Sequence, residues 1–241
     1  MSMRNQNMSV QKTRPVMRCF VLLSALVCLA SARPVHATYQ IGQFSNDGGS
    51  NITWTNNGNT SGSLTGTEGG YFTFTNLSGV PSGPQVATMT ITANTVTDGF
   101  TANNQLNQPL SGTLTIAITN SLDQNLLTAT VTSGTSLLTG VNQGSAAAVV
   151  SATPRDTVTF TSDFFNTSAL NNQAFSIGLA SIDPSLSFNS AGGHSFLNSF
   201  VAAAVGTFSA NAVPEPTSVA LLGLGCVVLV GARRRFRRID I

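Results

Sequence analysis

The chain has 241 residues with eleven basic and nine acidic side chains, yet ten of the eleven basic residues lie in its first 33 or last nine positions. Between Thr38 and Ala212 only Arg155 stands against Asp47, Glu68, Asp98, Asp123, Asp156, Asp163 and Asp183, a formal charge of −6. Such a body cannot displace counterions from a phosphate backbone, which excludes nucleic acid as a partner. Cys19, Cys28 and Cys226 all fall in apolar end segments, which excludes disulfides and thiol chemistry from the body.

Residues 1–37 have the three-part layout of a secretory signal peptide. A basic stretch to Arg18 precedes an apolar run from Cys19 to Ala32, and Val35-His36-Ala37 presents small or apolar residues at the minus-three and minus-one positions of a cut between Ala37 and Thr38. A buried N-terminal helix is the competing reading, but Arg33 and Pro34 would end it abruptly. The mature chain is therefore expected to begin at Thr38 and to lie outside the cytoplasm.

Residues 38–212 are rich in Ser, Thr and Asn, and many windows alternate between apolar residues and threonine. Ile52 and Trp54 share one face, as do Phe72 and Phe74, and the same period recurs at 86–92, 113–119, 127–132, 157–161 and 175–179, with a last strand or two within 196–208. Period two with threonine outward is the pattern of antiparallel strands half-buried on a core. Asp47-Gly48-Gly49, the glycine-rich 58–70 stretch, 80–84, Asp98-Gly99 and Gly192-Gly193 read as turns and loops. The expected fold is all-β: one antiparallel, jelly-roll-like β-sandwich of about eight to ten strands. A β-solenoid is the alternative, but the matching Asn103-Asn104-Gln105 and Asn171-Asn172-Gln173 lie in unrelated surroundings.

Reactive groups are few. His194 is the one histidine remaining after export, so no histidine cluster can hold zinc or iron, and Gly192-Gly193-His194-Ser195 reads as an exposed loop. Glu68, in Gly66-Thr67-Glu68-Gly69-Gly70, reads as a solvated turn rather than half of a glycosidase pair. Asn46-Asp47 is the nearest approach to a calcium loop, without a second carboxylate beside it in sequence. No cofactor or metal is expected. Trp54 is the candidate glycan contact, with Tyr71 and Tyr39 as further aromatics, although its alternation with Ile52 also fits core packing.

At the C-terminus, Pro214-Glu215-Pro216 precedes an apolar run from Val219 to Ala232, and Arg233, Arg234, Arg235, Arg237 and Arg238 follow. The run is expected to form a single transmembrane helix, since backbone groups in lipid must be satisfied internally. Residues 217–232 span only about 24 Å against a hydrocarbon core of roughly 30 Å, a shortfall that snorkelling arginine stems can cover. The arginines stop transfer and set orientation, placing themselves in the cytoplasm and the body outside.

The motif, the helix containing Leu221-Leu222-Gly223-Leu224-Gly225 and the arginine cluster, in that order, resemble the PEP-CTERM sorting signals of Gram-negative and related bacteria. The resemblance covers 213–238 and implies recognition of Pro214, Glu215 and Pro216 by an exosortase, a membrane-embedded cysteine peptidase that hands its substrate to the cell surface or matrix. A permanent single-span anchor is the bland alternative. The organisation expected is a signal peptide (1–37), an extracytoplasmic domain (38–212) and a sorting signal (213–241). The function expected is that of a non-catalytic surface or matrix protein whose partners are the exosortase, the membrane and extracellular polysaccharide. A dedicated carbohydrate-binding module and a glycan hydrolase are the alternatives.

Overall fold

The structure, a computed structural model, describes residues 38–133 and 136–212. The expected signal peptide, the transmembrane helix, Ala37, Pro214, Glu215, Pro216 and the five terminal arginines lie outside the described residues. Within them the alternating windows form strands, because each buries its apolar side and turns threonine outward.

In chain order the strands are β1 (Tyr39–Asn46), β2 (Ile52–Asn56), β3 (Gly62–Phe74), β4 (Gln85–Thr95), β5 (Phe100–Ala102), β6 (Gln105–Leu110), β7 (Leu114–Asn120) and β8 (Asn125–Ser133). There follow β9 (Ser136–Gly140), β10 (Ala148–Ser151), β11 (Thr157–Thr161), β12 (Leu170–Asp183), β13 (Phe188–Ala191), β14 (His194–Leu197) and β15 (Phe200–Ala212). The fifteen strands among the described residues exceed the expected eight to ten. The excess comes from short strands, such as β5 and β13, too brief to show a period.

The all-β class holds, with one 3-10 turn at Thr167–Ala169 among the described residues. Hydrogen bonds do not divide the strands into the two facing sheets expected of a sandwich. Thirteen form one antiparallel sheet in the order β11-β8-β7-β4-β3-β1-β15-β12-β10-β9-β6-β5, with β2 between β3 and β15, and β13 and β14 make a separate hairpin. The sheet curls over its own apolar face. Phe160 on edge strand β11 meets Phe208 on β15, six strands along, with ring centroids 6.1 Å apart, and Phe208 in turn meets Phe72 on β3. One buried cluster draws side chains from every described strand except β5 and β13. Each large apolar side chain wholly buried there contributes about 1.5–3 kcal/mol.

The exposed edge of β11 is blunted by a side chain, for the Phe160 N–H donates to Gln173 Oε1 in the bulge of β12. At the other end of the order, the β13–β14 hairpin is held down by Gln108, a fully buried side chain on β6. Its Nε2 donates to Thr97 O at 2.8 Å, and its Oε1 accepts the Leu197 N–H at 3.2 Å.

Two sequence expectations change. The glycine-rich stretch after Gly58 is mostly strand, because its glycines serve close approach rather than turning. A Cβ on Gly62 would stand 2.3 Å from the Trp54 ring, and one on Gly70 would stand 2.1 Å from the Ser45 carbonyl oxygen. The alternating windows assign no strand to residues 148–151, which form β10.

The first and last strands are neighbours: Tyr39 pairs with Ala210 in β15. The chain thus enters and leaves the described body at the same pole.

Candidate functional site

Trp54 corrects the expectation of a glycan contact at that position. Its side chain is wholly buried, and its Nε1–H donates to Leu197 O at 3.0 Å. Asn56 Nδ2 donates to the same carbonyl at 3.1 Å. No sugar can stack on a ring enclosed by Gly62 and the β14 end; of Trp54's two sequence readings, core packing is the one realised. Thr38, the residue after the expected cut, is exposed at the start of the described chain. Of the other aromatics, Tyr39 packs partly on the core, whereas Tyr71 is 46% exposed.

Glu68 is likewise not the solvated turn expected from its glycine-rich neighbourhood. It lies in β3 with no exposed surface. The cause is an insertion. Asn46 opposes Gly70 and Ile52 opposes Gly66, so five residues of the β1–β2 connection face three of β3 and buckle outward. The Glu68 carboxylate fills the space beneath the buckle, accepting from Asn46 Nδ2 and from the Asn51 N–H, the latter at 3.1 Å. Both oxygens are thereby engaged by the loop they support. The Asp47 carboxylate lies over Gly69, on whose added Cβ it would encroach at 2.9 Å. Sequence reading missed this proximity of Glu68 to Asn46 because 22 residues separate them. Among the described residues there is no group of three His, Cys, Asp or Glu side chains able to hold a metal.

His194 begins β14 and is exposed as expected. Its Nδ1 lies 3.1 Å from Asp98 Oδ1, joining the hairpin to the turn before β5 across solvent. An exposed pair of this kind contributes little, because water screens it and both side chains lose freedom. His194→Ala is accordingly expected to leave the melting temperature within error of the parent, as a thermal melt at neutral pH will show. Asp163 supports a neighbouring strand, accepting the Asn125 N–H at 2.7 Å, and Asp156 accepts from the Thr153 N–H within its own turn.

The outward faces of β2, β3, β4, β7, β8 and β11 carry a feature that no single window reveals. Thr53 pairs with Thr65, Thr65 with Thr92, Thr92 with Thr115, Thr115 with Thr130 and Thr130 with Thr159, giving six threonines in register across six strands. All six are exposed or half-exposed. A second row lies two residues along, where Thr67 and Thr90 are paired, with Oγ1 atoms 3.3 Å apart, and Ala117, Thr128 and Thr161 continue the row. At the far end of the β3–β4 ribbon the paired residues are Tyr71 and Val86, the latter 64% exposed. At the near end Asn57, Ser61, Asn94, Thr95, Val96 and Ser111 line an open depression of about 300 Å³.

The sequence model of the PEP-CTERM protein-sorting motif matches residues 212–238. The chain therefore carries that sorting signal, as the Pro-Glu-Pro, apolar and arginine segments imply. The signal is one of export, membrane anchoring before exosortase processing, and surface localisation. Comparison with curated proteins and with solved structures gives no match. Among the described residues no helix is long and apolar enough to cross a membrane, and the segment expected to do so lies outside them.

Proposed function

We propose that this chain, carrying a PEP-CTERM signal at 212–238, is a non-catalytic surface or matrix protein that associates with extracellular polysaccharide once its tail has been processed. The sorting match is the observation that carries the reading. The body supports it in what it offers chemically: Glu68 is committed to a backbone loop, and His194 is a solvated surface partner of Asp98. A signal peptide ending at Ala37 and an anchor beginning near Pro214 would both leave the body at the pole where Tyr39 pairs with Ala210. Before processing, the domain would thus be held by that one pole, with the loops at its opposite end facing away from the membrane. The dedicated carbohydrate-binding alternative loses Trp54 as its contact but keeps the exposed Tyr71.

Intact-mass measurement of the protein recovered from the cell surface tests the reading. The expected product begins at Thr38 and lacks Arg233 to Arg238. Replacing Pro214, Glu215 and Pro216 together by alanine is expected to leave the arginine cluster attached and the protein in the membrane fraction. Surface protein that retains Met1 and all five terminal arginines would defeat the proposal.

A further inference from the structure

We infer that the in-register threonine face of β2-β3-β4-β7-β8-β11, with Tyr71 and Val86 at its end, is the surface on which a single neutral polysaccharide chain lies. The inference rests on the proposed polysaccharide association and gives it a location. Threonine alone on outward strand positions reflects β propensity and would carry no argument. Its register and its company do. The row of Thr53, Thr65, Thr92, Thr115, Thr130 and Thr159 repeats at the strand spacing of about 4.8 Å and so runs roughly 24 Å. Along β3, Thr65 and Tyr71 are six residues apart, roughly 20 Å in an extended strand.

Neither threonine row contains a charged side chain, whereas an ordinary protein surface is about a quarter to a third Lys, Arg, Glu and Asp; one carboxylate, that of Asp47 over Gly69, stands between the rows and Tyr71. Edge strand β11, blunted by Gln173 rather than by a lysine, itself presents Thr157, Thr159 and Thr161. A lattice of hydroxyls and methyls matches a polymer whose units have hydroxyl rims and C–H faces, and the exposed Tyr71 ring offers a flat apolar area with a polar tip for one such unit.

Charge and shape select among polymers. The described body carries seven carboxylates against Arg155, so a polyanionic chain is repelled and a neutral one is not. Adjacent strands rotate by about 20–25°, and over five steps the row turns by roughly a quarter of a circle or more. A row so turned cannot match the plane of a crystalline fibre, but a flexible single chain can follow it.

The test is affinity electrophoresis of the processed protein, recovered from the host surface, through native gels containing dextran, hydroxyethylcellulose or alginate. Retardation by at least one neutral polymer and none by alginate is expected. The combined variant Thr65→Val/Thr92→Val/Thr115→Val keeps shape and strand propensity while removing hydroxyls, and it should weaken retardation on the order of tenfold, as should Tyr71→Ala. The matching Thr→Ser variant should retain binding. Thermal melts of each variant separate lost contact from lost fold; should the valine variant unfold, Tyr71→Ala decides. Parental retardation in the folded valine and Tyr71 variants would overturn the location and leave polysaccharide association standing, as would retardation by alginate alone. A parent retarded by none of the three polymers would overturn the association itself.

Discussion

Trp54→Ala is expected to lower the unfolding free energy by about 3–5 kcal/mol, the range for removing a large aromatic side chain from a packed interior. Trp54 is among the largest side chains with no exposed surface, and Gly62 beneath it has no Cβ with which to fill the void. The loss is apolar in origin. Leu197 O would keep its bond from Asn56 Nδ2 at 3.1 Å, so no buried carbonyl is orphaned. Trp54→Phe should consequently cost only about 1–2 kcal/mol, for a smaller ring and one hydrogen bond. For a domain of this size the alanine variant corresponds to a melting temperature lower by roughly 6–20 °C. Calorimetry or thermal circular dichroism will show it. A cost below about 1 kcal/mol would mean that the ring is open to solvent, and the glycan-contact role at Trp54 would return.

Glu68→Ala is expected to cost about 2–4 kcal/mol, because the Asn46 amide and the Asn51 N–H lose a charged acceptor that water reaches poorly. The effect should be local first. Residues 47–51 bridge β1 and β2, and without the carboxylate their buckle has no floor, so amide exchange should quicken there before it quickens in β4 or β7. Glu68→Gln is the informative companion. A glutamine presents one acceptor oxygen to two donors, and Asn46 cannot turn its own oxygen inward while Oδ1 accepts the Gly48 N–H. Roughly half of the alanine cost is therefore expected for glutamine. Equal stability of all three proteins in urea unfolding would show that the buckle stands without Glu68.

Much of this molecule is local physics, and that part is legible in one dimension. Ile52 and Trp54, Phe72 and Phe74, and the residues of β4 and β7 alternate with threonine, so the strands and their buried sides follow from period two. The sorting signal is legible for the same reason, since it is read from contiguous Pro-Glu-Pro, apolarity and charge at 212–238. Glycine misleads where its use is not local: Gly62 and Gly70 resemble turn residues until Trp54 and the Ser45 carbonyl are brought against them.

The residues thus determined a β body of low charge followed by a C-terminal sorting signal. Tertiary structure alone decided that Trp54 faces inward, that Glu68 meets a loop seventeen or more positions away, and that threonines from six strands stand in one row. Strand pairing sets those outcomes. A shift of register by a single residue would send each of those threonines to the opposite side, and no stretch of one strand specifies which partner it will meet.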